Sequence, residues 1–91
     1  MAAKGREIIE TEEFTVSVEK LGGYRAVDEA LATIMEGLYR NPYGFDHFEF
    51  PPFSFRYART KKIGFVPPLV VVFRIDETGN VYLEHIEEDQ D

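Results

Sequence analysis

The sequence predicts an α+β fold of order β-α-β-β-β, with one amphipathic helix packed on a mostly antiparallel sheet. Three observations carry this. Apolar residues between Tyr24 and Arg40 recur at spacings of three and four, which is helical. Four other segments alternate in polarity, or run apolar, over the length of a strand. The connections between the last three are short enough for an antiparallel meander.

Residues 1–11 show no period and are expected to fray, although Ile8 and Ile9 could dock. Phe14, Val16 and Val18 alternate with Thr15, Ser17 and Glu19, the pattern of a half-buried strand that Gly22-Gly23 ends. In the helix that follows, Val27, Leu31, Ile34, Met35 and Leu38 share one side, and Arg25, Asp28, Glu29 and Glu36 the other. Arg40 suits the carbonyl end of the helix, and Asn41-Pro42 stops it. Residues 41–52 read as a loop in which Tyr43, Phe45, Phe48 and Phe50, punctuated by Pro and Gly, lie over the core as a lid. Phe53 to Thr60 alternates again as a second strand. Leu69 to Ile75 is apolar except for Arg74, as in a strand covered on both faces. Asp76-Glu77-Thr78-Gly79-Asn80 is a turn signal, so residues 69–86 form a hairpin, and 87–91 are expected to be a solvated, flexible tail. Leu31, Ile34, Leu38, Val71, Phe73 and Leu83 should share one core.

At 91 residues the chain is read as a single domain, 1–91. A domain of this size buries only around 60% of its unfolded surface, so its margin of stability is narrow. There is no cysteine, which excludes disulfides and thiolate metal sites; eight Phe and five Tyr supply core volume instead. The first residues lead into no apolar stretch, and the longest apolar run is broken by Pro67-Pro68, so no membrane segment is expected and the chain is read as cytoplasmic.

Net charge is −7, and its placement is uneven. The acids from Asp76 to Asp91 have no Lys or Arg among them, while Arg56, Arg59, Lys61 and Lys62 form a basic stretch. Together with Arg74 on the next strand, that stretch is the candidate for holding phosphates and stabilising charge on a phosphoryl oxygen. Arg56 and Arg59 point to opposite faces of a strand, and charge that merely protects a sheet edge is the commoner use. His85 is the candidate acid–base residue, held on a strand face with Val81 and Leu83. His47 and His85 lack ligand spacing, so no metal is expected, nor any cofactor. A Gly-rich phosphate loop and a nucleophile elbow are both missing from the sequence.

The layout resembles the RelE/ParE superfamily of toxin–antitoxin toxins. The residues that carry the resemblance are Phe53 to Lys61, Val70 to Asp76 and Val81 to Ile86, which are similar to the family's alternating basic strand, its "YRvvYxid" strand and its final apolar strand. The resemblance implies a RelE/ParE-like fold, neutralisation by an antitoxin chain, and either cleavage of messenger RNA or action on gyrase. It would make Arg56, Arg59 and His85 catalytic, with Lys61, Lys62 and Arg74 binding. Leu69 and Val70 stand where the family carries an arginine, and Glu87-Glu88-Asp89 replaces its basic ending, which works against a site that must sit among phosphates. The alternative is a non-enzymatic protein-interaction module. Ile63, Phe65 and Val66, apolar residues in a connection, then join the aromatic loop in contacting a homodimer partner or an antitoxin-like chain.

Overall fold

The computed structural model describes residues 6–50, 53–62, 64 and 67–89. Strand β1 (Ile8–Glu10) leads into helices α1 (Glu12–Lys20) and α2 (Tyr24–Arg40), and a 3₁₀ turn (Pro42–Gly44) follows. Strands β2 (Asp46–Phe50), β3 (Phe53–Arg59), β4 (Leu69–Ile75) and β5 (Val81–Glu88) complete the order. They form one sheet, β1-β5-β4-β3-β2, antiparallel throughout except where β1 runs parallel to β5. The α+β class and mostly antiparallel sheet agree with the sequence reading; the single helix does not.

The first correction is α1, expected as a strand. Phe14, Ser17 and Val18 are its buried residues, a helical spacing of three and four, while Val16 is 49% exposed. Thr11 caps the helix by accepting from the Phe14 N–H at 3.2 Å, Glu12 and Glu13 occupy the first turn, and Lys20 the last. These end signals outweigh the two-residue alternation. Helix α2 has the expected bounds. Gly22 and Gly23, with φ of 107° and 91°, make the turn between the helices, a backbone shape that a side chain would strain.

Three further expectations change. Residues 8–10 are not frayed: β1 pairs Ile8 with Val81 and Glu10 with Leu83. Just before it, Arg6 donates to the carbonyls of Tyr39 and Gly79, each at 3.2 Å. The loop of residues 41–52 contains the 3₁₀ turn and β2. Within it Phe45 does pack on the core, its ring edge-on to Phe73 at 5.6 Å, whereas Tyr43 is exposed; the side chains of Phe48 and Phe50 lie outside the described set. Finally β5 continues to Glu88, and the Asp89 N–H reaches Pro68 O at 2.8 Å, where a solvated tail was expected.

Both helices lie on one face of the sheet. Phe14 and Val18 of α1 and Val27, Ala30, Leu31, Ile34 and Leu38 of α2 form one cluster with Ala58, Leu69, Val71, Phe73, Val81, Leu83 and Ile86, which includes all six expected core residues. Burying a large apolar side chain contributes roughly 1.5–3 kcal/mol, so this face dominates stability. Strand β4 is therefore covered on one face only: Val70 and Val72 are half-buried between buried neighbours, and Arg74 is half-buried next to buried Phe73.

Strand β5 carries a bulge. Val72 pairs with His85 but Phe73 with Leu83, so Glu84 is the extra residue. Leu83 and Ile86, three apart, can thus both face the helices. Beyond Glu10, the outer edge of β5 is taken by α1 instead of another strand. Thr11 donates its N–H and its hydroxyl to Leu83 O, at 3.1 and 2.7 Å. Ser17 Oγ accepts from the Ile86 N–H at 3.1 Å and donates to Phe14 O at 2.8 Å.

Candidate functional site

Strand alternation sorts the candidate residues between the two faces. Arg56 pairs with Phe73 and so stands on the helix side. Its Nη1 donates to Tyr43 O at 3.1 Å and Phe45 O at 2.8 Å, and its guanidinium lies 5.6 Å from the centre of the Tyr43 ring. Arg56 is thus a clasp that holds the 3₁₀ turn to β3.

Arg59, Arg74 and His85 meet on the opposite face, which is free of helices. Each is bound to a carboxylate. Arg59 lies over the Tyr57 ring at 5.6 Å, with its Nη1 3.8 Å from Asp89 Oδ2. Arg74 lies 4.1 Å from the Tyr82 ring centre and donates through Nε to Glu84 Oε2 at 2.6 Å. His85 Nε2 is 2.8 Å from Glu87 Oε1. The bulge places His85 here, opposite half-buried Val72, and not with Val81 and Leu83 as the alternation implied. Lys61 and Lys62 are exposed beyond the end of β3. Phe65, with Ile63 and Val66, lies outside the described residues.

Between these charge pairs the face is apolar. Val70 and Val72 stand beside Tyr57, with Phe55 on one flank and Tyr82 and Ile9 on the other, all partly exposed. Such a surface, apolar at the centre and charged around it, has the composition of a protein contact. Sequence reasoning missed the carboxylates of Glu84, Glu87 and Asp89 as members of the site, although they decide its electrostatics. It also missed the apolar centre, because β4 was given two covered faces. One signal was available: a single helix cannot cover both sides of a sheet.

Among the described residues two titratable groups depart from their ordinary values, and neither lies at this centre. The Tyr24 hydroxyl donates to the Glu10 carboxylate, and that bond, with desolvation, pushes it up. Desolvation acts to raise Asp76, but N–H groups of Asn80 and Thr78 and the Thr78 hydroxyl outweigh it and hold Asp76 low. Among the described residues no group of His, Asp and Glu is placed to hold a metal ion, and no helix is long and apolar enough to cross a membrane. No protein-family model matches this chain, and no curated protein or solved structure is significantly similar to it.

Proposed function

We propose that this chain is a non-enzymatic protein-interaction module, and that its partner is a second copy meeting it sheet to sheet through the helix-free face. The observation that carries the reading is the pairing of Arg59, Arg74 and His85 with Asp89, Glu84 and Glu87 around an apolar centre. A nuclease needs cations offered to phosphate, whereas Arg59, Arg74 and His85 are already engaged by carboxylates and Arg56 by carbonyls, and Lys61 and Lys62 lie beyond the end of β3.

Charge distribution selects the partner. A two-fold contact sets a patch against itself. A patch of one sign repels its copy, while one bearing both signs can pair Arg59 or Arg74 of one molecule with Glu84 or Glu87 of the other. Strand spacing and rise give a face of about 24 by 20 Å, hence about 1,000 Å² buried over both copies. That area belongs to weak, reversible interfaces.

Sedimentation equilibrium tests this. The wild type should show a concentration-dependent monomer–dimer equilibrium, and Val72→Lys, which sets ammonium groups at the centre of the contact, should be monomeric with unchanged circular dichroism. A wild type that stays monomeric over a wide concentration range refutes the proposal.

A second reading, a RelE/ParE-like toxin-type protein, draws support from the layout. Helices ending at Asn41-Pro42 precede the antiparallel β3–β5 run that carries the resembling residues. On that reading the open face receives an antitoxin-like chain. Growth arrest on induced expression, together with RNA binding at low salt, supports this reading; the lack of both removes it.

A further inference from the structure

A second surface, on the helix side, has different chemistry. Strand β2 begins at Asp46, which pairs with Tyr57, so Arg59, Thr60 and Lys61 run on past its start. There α2 overhangs the end of β3 and leaves a cleft of about 430 Å³, lined by Thr33, Ile34, Phe45, Arg59, Thr60 and Lys61. That volume is in the range of pockets for small molecules, about 300–1,000 Å³. One wall is rigid. The Phe45 ring sits against Gly37, where an added Cβ would come within 3.0 Å of it, and is held edge-on to Phe73.

The polar groups at the mouth favour an anion. Among the described residues no carboxylate lines the cleft, in a chain of net charge −7. Arg59 is committed to Tyr57 and Asp89, but the exposed Lys61 ammonium makes no ion pair among the described residues. Thr60 Oγ1 accepts from the Leu69 N–H at 2.8 Å, which keeps its own proton for donation. One ammonium and one hydroxyl match a singly charged head group better than a dianionic phosphate.

We infer that this cleft binds a small amphipathic carboxylate, with its apolar tail against Ile34 and Phe45 and its head on Lys61 and the Thr60 hydroxyl. Arg59 lines this cleft and also borders the sheet face, but the groups that hold the ligand, Ile34, Phe45, Thr60 and Lys61, are not among those of the proposed dimer contact, so the inference stands whether or not the chain dimerises.

The test is a heteronuclear NMR titration of the whole chain with decanoate below its micelle concentration, with decanol as the neutral counterpart. Decanoate should produce saturable shifts at Thr33, Thr60 and Lys61. Decanol should bind about 2- to 5-fold more weakly, the loss of one exposed ion pair. Lys61→Gln should bring decanoate down to the decanol level without altering decanol binding. Thr33 is exposed, so Thr33→Trp should keep the fold and close the cleft. The inference is overturned by shifts centred on Tyr57, Val72 and Tyr82 instead, by titration without saturation, or by decanoate binding that survives both substitutions unchanged.

Discussion

Replacing Ser17 by alanine tests how α1 seals the edge of the sheet. Ser17 is 4% exposed, and its Oγ is the partner of the Ile86 N–H, which meets no strand on that side. Alanine leaves that N–H buried and unpaired, which costs about 1–3 kcal/mol. The bond to Phe14 O is also lost, but that carbonyl lies within the helix ladder and is not orphaned. Alanine returns about 0.5 kcal/mol as the better helix former. An open cleft lined by Ser17, Val16, Lys20 and His85 lets water approach, which favours the lower part of the range. The expected net loss is about 1 kcal/mol, and for a domain of this size that lowers Tm by about 4–8 °C. Urea and thermal denaturation followed by circular dichroism measure it, with an unchanged urea dependence showing that the folded state is intact. Thr15→Ala, which removes an exposed helical hydroxyl, is the control and should stay within about 0.5 kcal/mol of wild type. A Ser17→Ala protein as stable as wild type would refute the sealing role.

Gly37→Ala should destabilise by about 1 kcal/mol despite its better helix propensity, because the new Cβ meets the Phe45 ring at 3.0 Å and Phe73 blocks the ring's retreat. A gain in Tm would show that the ring moves aside freely. For Asp76 the sign follows from a folded-state pKa held below its ordinary value: the stabilisation is complete above the usual carboxylate range and is lost as pH falls through the folded pKa. The stability gap between wild type and Asp76→Ala should therefore be widest near neutrality and narrow in acid. A gap that is constant down to pH of about 2 contradicts the electrostatic origin.

The elements most legible in the sequence were those with a long period and two marked ends. Helix α2 has both, a continuous apolar stripe and an Asn-Pro stop, and its bounds match the structure. The 69–86 hairpin was legible because Asp76 and Asn80 close its turn through local hydrogen bonds. Helix α1 is too short for its period to separate from that of a strand: Phe14, Val16 and Val18 fit one reading, and Phe14, Ser17 and Val18 the other. Thr11, Glu12 and Glu13 held the deciding information at its first turn. Strand β1 escaped notice because three residues show no period, and its partner lies at the far end of the chain. In the candidate site, the opposite facing of Arg56 and Arg59 followed from alternation alone. The place of His85 depended on the bulge at Glu84, and the carboxylate partners depended on register, neither of which composition encodes.

Strand β5 stands between β1 and β4 and carries α1, so three elements converge on the one that follows them all in the sequence. During synthesis the apolar sides of both helices are complete long before the surface that receives them exists. Phe14 and Val18 must wait exposed, or rest on provisional contacts, until Val81 to Glu88 emerges. Closing β1 onto β5 spans most of the chain and costs about 2 kcal/mol more loop entropy than closing the β4–β5 hairpin. The hairpin therefore has a kinetic advantage, and zipping of β1 with docking of α1 is expected to follow it. A nascent chain stalled before Val81 would present the same apolar residues that stabilise the finished fold as a target for chaperones.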